Sequence, residues 1–139
     1  IGETILPATS SPGAKAAQVG EFMKIYVTDC YTQESQEAFN KGIGELEEAC
    51  KKMHSKDFMA CTPEQRTELL ISIEKEAKEY NKTLQEKDIP RHYYTMMKQL
   101  TLLGFFTSKP GATEALRNVP VPGKYDGALP YKKGDKAFS

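Results

Sequence analysis

Between residues 16 and 30 the apolar positions Val19, Phe22, Met23, Tyr26, Val27 and Cys30 recur at steps of three and four, the spacing of a helix with one buried side. The rhythm returns over residues 35–53 at Phe39, Ile43, Leu46, Cys50 and Met53, where Gly42 and Gly44 lower the intrinsic helicity but permit close packing. A third helix opens at Thr62-Pro63-Glu64-Gln65: a capping hydroxyl, a proline at the first helical position and a Gln able to reach back to the cap. Its inward residues are Leu69, Leu70, Ile73, Ala77 and Tyr80, with Glu74, Lys75, Lys78 and Glu79 on the wet side. Asp88, Ile89 and Pro90 predict the start of a fourth helix, inward at Tyr93, Met96, Met97, Leu100 and Leu103 and ending near Gly104. Ahead of these, residues 1–6 read as the end of a helix stopped by Pro7, and residues 7–13 as a loop.

No alternating strand pattern appears before Val119, and no internal repeat is visible. The predicted fold class is therefore all-α, an irregular bundle of four main helices over about residues 16–104. It belongs to a single domain spanning 1–139, completed by a short turn or helix and an extended tail over 105–139. Residues 119–139 differ in kind. Turn signals at Pro122-Gly123 and Asp126-Gly127 interleave with Val121, Tyr125, Leu129, Tyr131 and Phe138, which predicts an extended strap with apolar points. Such a strap either docks a partner or folds back over its own bundle.

Composition narrows the function. A chain of 139 residues, 39% hydrophobic and 27% charged, holds one core without metal or disulfide support. Lys and Arg number 19, as do Asp and Glu, so there is no positive excess to hold a phosphate backbone, and nucleic acid is not the expected partner. No apolar run approaches the roughly 18 residues of a membrane span. A chain beginning at Ile1 rather than Met is expected to have lost an upstream part, where any targeting peptide would lie.

The candidate chemistry is thin. Cys30, Cys50 and Cys61 have no CxxC, haem-attachment or zinc spacing, and three cysteines allow at most one internal bridge, leaving one thiol free. Cys30 and Cys50 fall on apolar stripes, where a free Cys packs as a small hydrophobe. Cys50 and His54 share a helix face and would make half a metal site or a thiolate with its base, but no spacing pattern supplies the other ligands. His92 reads as a half-exposed structural histidine. The glutamates interleave with lysines as a solvated face and lack the Glu-x-x-His pairs of a diiron bundle. Gly42-Ile43-Gly44 follows no strand and cannot cradle a pyrophosphate. Tyr93, Tyr94, Met96 and Met97 would line an apolar pocket or, as the commoner case, fill a core. No catalytic, cofactor-binding or metal-binding residue is assigned.

One block is more specific. Residues 100–126, LTLLGFFTSKPGATEALRNVPVPGKYD, continuing GALPYKKGDKAF, resemble the C-terminal signature of the gluconate 2-dehydrogenase subunit 3 family. Residues 5–23, ILPATSSPGAKAAQVGEFM, with Asp29-Cys30-Tyr31 after them, are similar to that family's opening. In the block, Gly104 and Gly111 permit turns, Ser108 can cap a short helical turn at Lys109-Pro110, and Pro120 and Pro122 hold the backbone extended.

The resemblance implies a non-catalytic, extracytoplasmic accessory subunit. It would bind a large flavin-dependent catalytic subunit of the glucose-methanol-choline type, often beside a cytochrome c subunit, and assist assembly or export. FAD and haem c would then reside on the partners, with none in this chain. The residues expected to meet the partner are Val121, Tyr125, Asp126, Leu129, Tyr131 and Phe138. Ala128 departs from the family pattern, in which many members carry a cysteine, so an inter-subunit disulfide there is not implied. The rival readings are a stand-alone extracytoplasmic small-ligand or surface-binding module built on the Tyr93 to Met97 cluster, and an enzyme using Cys50 and His54.

Overall fold

The computed structural model describes residues 1–84, 89–121, 123–124 and 126–138. The elements are α1 (Gly2–Ile5), α2 (Val19–Cys30), α3 (Gln33–His54), a 3₁₀ turn (Phe58–Ala60), α4 (Pro63–Thr83), α5 (Tyr93–Phe106) and a π-type turn (Gly111–Ala115). Among the described residues there is no strand, only an isolated parallel bridge between Arg117 and Phe138. The fold is all-α.

Local signals place most of the ends. α1 stops at Leu6, ahead of Pro7, and the loop that follows closes around Glu3, whose carboxylate accepts from the Ala8 amide at 3.0 Å and the Lys15 amide at 2.7 Å. At the head of α4, Thr62 Oγ1 accepts from the Gln65 amide at 3.3 Å while Gln65 Oε1 accepts from the Thr62 amide at 3.0 Å, so both halves of the expected capping box form. Thr32 caps α3, which ends where Ser55 takes a left-handed conformation at φ 53°.

The expected stripes hold at their centres and slip at their edges. Val19 and Val27, Phe39, Leu46 and Cys50, and Leu69, Leu70, Ile73 and Ala77 are buried. Ile43, Met53, Tyr80 and Leu103, expected inward, are exposed, as is Cys30 at the last position of α2. On α3 the inward place expected for Ile43 goes to Gly42, because the ring of Tyr93 from α5 lies against the bare backbone there. α2 begins at Val19 rather than near residue 16, after Gln18 in a left-handed conformation.

α5 is the hub, packing against α1, α2, α3 and α4. A helix surrounded on several sides needs apolar residues around most of its circumference. Tyr93, Tyr94, Met96, Met97, Leu100, Thr101 and Phe105 are accordingly all buried. The expected start at Asp88-Ile89-Pro90 is not the helical one: Ile89 and Pro90 precede the helix, and Asp88 lies outside the described residues. His92 is the cap instead, its Nδ1 accepting from the Tyr94 amide at 3.2 Å while its own amide donates to Asn81 Oδ1 at 3.2 Å. Nor does α5 end at Gly104. That glycine is buried inside the helix, where a Cβ would fall 2.5 Å from Phe22 Cδ1, so its role is close approach of α2 rather than a turn.

Glu74 on α4 is more than solvated surface. It accepts from Lys98 of α5 at 2.9 Å and pairs with Lys78 at 3.1 Å, which holds its carboxyl below the ordinary value.

Candidate functional site

Cys50 and His54, which the sequence offers only as half of a site, are not the pair that the structure brings together. His54 donates a hydrogen bond from its Nε2–H to the Gln65 carbonyl at 3.1 Å, since a carbonyl oxygen can only accept. Cys50 stands instead against Cys61, with the sulfurs 3.3 Å apart and both residues buried. Burial above all, then the neighbouring thiol, pushes the Cys50 thiol up to about 11, the wrong direction for a nucleophile near neutral pH. Among the described residues no three His, Cys, Asp or Glu side chains gather as metal ligands.

Tyr93, Tyr94, Met96 and Met97 do not converge on one cavity. They lie in the main core, and burial raises both phenols to about 12. Met97 reaches the floor of a cleft of about 330 Å³ between α2 and α3, whose other walls include Ile1, Met23, Val27, Phe39 and Ile43. His92 is half-buried between the rings of Tyr80 and Tyr93, at 5.6 and 4.4 Å, and burial lowers its pKa against the pull of Glu76 and Glu45.

The candidate surface is the chain beyond α5. Ser108 organises its root: the hydroxyl donates to the Phe105 carbonyl at 2.6 Å and accepts from the Gly111 amide at 3.1 Å, and the π-type turn follows. Past this turn the chain leaves the bundle and comes back to its own base. The Arg117 amide donates to the Ala137 carbonyl at 2.8 Å, the Arg117 guanidinium lies 4.8 Å from the centre of the Phe138 ring, and Lys136 Nζ donates to the Glu114 carbonyl. Asp126 shapes a turn by accepting from the Ala128 amide at 3.1 Å. A second turn, not anticipated from sequence, joins Lys132 to Asp135, with Gly134 at φ 99° and the Asp135 carboxylate accepting from the Lys132 amide at 2.8 Å. The signal for it was Lys133-Gly134-Asp135, a turn composition of the kind read at Asp126-Gly127.

Of the residues expected to meet a partner, Val121 is 82% exposed, Tyr131 76%, Phe138 52% and Leu129 51%. Asp126 is exposed as well, and Tyr125 lies outside the described residues. None of these apolar residues contributes to the buried clusters among the helices. Leu102, Leu103 and Phe106 add exposed apolar area near the end of α5, which the expectation of a one-sided stripe missed.

The described residues form an all-α fold with exposed apolar side chains beyond α5. The family model for gluconate 2-dehydrogenase subunit 3 matches residues 1–123, and the chain belongs to that family. The match ends inside the tail, so Asp126, Leu129, Tyr131 and Phe138 lie beyond it. No curated protein and no solved structure matches the chain. Among the described residues no helix is long and apolar enough to cross a membrane.

Proposed function

We propose that this chain is a non-catalytic, extracytoplasmic accessory subunit that docks a large flavin-dependent dehydrogenase of the glucose-methanol-choline type and supports its assembly or export. The family description names a dehydrogenase subunit, which supports membership of such a complex. The observation that carries the docking role is the exposure of Val121, Leu129, Tyr131 and Phe138. Four large apolar side chains outside the bundle cost solvation while the chain is alone and repay it when a partner covers them. Tyr131 suits such a surface because its ring buries area while its hydroxyl keeps a polar partner.

In this reading the redox chemistry belongs to the partners, FAD on the catalytic subunit and haem c on a cytochrome c subunit where one is present. The absence of a CxxCH sequence and of a glycine-rich βαβ pattern in this chain agrees with that division.

The test is co-purification with a flavoprotein dehydrogenase of the glucose-methanol-choline type co-expressed with this chain. Full-length protein should capture it, whereas deletion of residues 119–139, or the triple substitution Val121→Asp, Leu129→Asp, Tyr131→Asp, should reduce capture at least about tenfold. Circular dichroism on each variant is the folding control. Undiminished capture by folded variants would take the tail out of the interface.

A further inference from the structure

Cys50 lies in the penultimate turn of α3, and Cys61 immediately precedes the Thr62 cap of α4. The connection between them is tied at several points. The Phe58 amide donates to Glu47 Oε1 at 3.1 Å, Arg66 donates to the carbonyls of Phe58 at 3.0 Å and Met59 at 2.7 Å, and Lys51 pairs with Asp57 at 3.2 Å. These ties bring two sulfurs from different elements to 3.3 Å, with Cys50 0% and Cys61 5% exposed. That separation is inside ordinary sulfur contact, and closing it to the roughly 2.05 Å of a disulfide asks the sulfurs to approach by about 1.25 Å. Cys30 is remote in character, an exposed thiol at the end of α2.

We propose that Cys50 and Cys61 form an intramolecular disulfide that staples the end of α3 to the start of α4. The bond forms by exchange with a disulfide oxidant, either a small-molecule disulfide or a thiol–disulfide oxidoreductase. One cysteine thiolate attacks the oxidant and expels its first thiol, leaving a mixed disulfide. The second cysteine thiolate attacks that intermediate and expels the other. The chain loses two protons and two electrons, and the oxidant is reduced to two thiols. The sulfurs are enclosed in the folded chain, so exchange takes place while α3 and α4 are still coming together, and the finished bond is shielded from reductants. The staple is independent of the docking proposal, since it concerns only the joint between two helices.

The experiment uses the full chain carrying Cys30→Ser, an exposed position, beside the wild type. Each is unfolded, reduced, and refolded in a mixture of reduced and oxidised glutathione, then alkylated in denaturant and digested with trypsin. The expected result is a chain lighter by about 2 Da than its reduced form, with peptide 42–51 linked to peptide 57–66. Closing a loop of this length should also lower the unfolding equilibrium constant of the oxidised form on the order of 100-fold relative to the reduced one. Two alkylated thiols in a folded Cys30→Ser chain, glutathione adducts at both positions, or a bridge from Cys30 to either partner in the wild type would each overturn the proposal.

Discussion

Gly42 of α3 lies under the ring of Tyr93 of α5, so closely that a Cβ on Gly42 would fall 2.1 Å from Tyr93 Cγ. Gly44, two residues on, has nothing within 4 Å of the same position. The two glycines carry the same helical penalty and opposite packing consequences. Gly42→Ala should destabilise the fold by about 1–3 kcal/mol through overpacking, even after the gain in helix propensity. Gly44→Ala should stabilise it by about 0.5–1 kcal/mol. Urea midpoints of the two variants, compared with wild type, check the pair.

The cap of α4 is a second quantitative test. Thr62→Ala removes the hydroxyl that accepts from the Gln65 amide, and a loss of about 1 kcal/mol is expected. Thr67→Ala, at an exposed site within the same helix, should change stability by less than about 0.5 kcal/mol. Thermal or urea unfolding of both variants gives the comparison.

His92 makes the start of α5 sensitive to acid. Its Nδ1 must be unprotonated to accept from the Tyr94 amide, and burial lowers its pKa in the fold. A base whose folded pKa lies below its unfolded value contributes full stability above the unfolded value, near 6.5, and loses it as pH falls through the window beneath. Replacing the imidazole with a cap that does not titrate, His92→Asn, should flatten the stability profile as pH falls below about 6.5 while leaving stability at pH 8 within about 1 kcal/mol. Parallel slopes for wild type and variant would remove His92 from the acid response.

At the alkaline end the phenols of Tyr93 and Tyr94 act. Their pKa values, raised to about 12 by burial, lie above the ordinary 10, so the fold favours the neutral ring. The stability they protect is complete below pH 10 and is lost as pH rises from 10 towards 12. Ultraviolet titration should show these two of the seven tyrosines ionising late and together with unfolding. Tyr94→Phe should move the onset of alkaline unfolding to higher pH.

Much of the architecture was legible because it is local. Steps of three and four at Val19, Phe22, Met23 and Val27, and again at Leu69, Leu70, Ile73 and Ala77, announce helices through a periodicity that no distant residue alters. The Thr62 and Gln65 box is local in the same way, since both partners lie within one turn. The family was legible too, from residues near both ends of the chain.

What only the tertiary structure decided are the relations between elements. Gly104 looks like a helix stop until Phe22 is seen occupying the space a side chain would need. Leu103, expected inward, is exposed while Thr101 is buried, because a helix with neighbours on several sides has no single inward stripe, and which flank stays open depends on where α1 to α4 lie. Cys50 meets Cys61 rather than His54 because the turn at Phe58–Ala60 reverses the chain, and the distance between two sulfurs on different elements is set by that reversal and by no spacing along one helix.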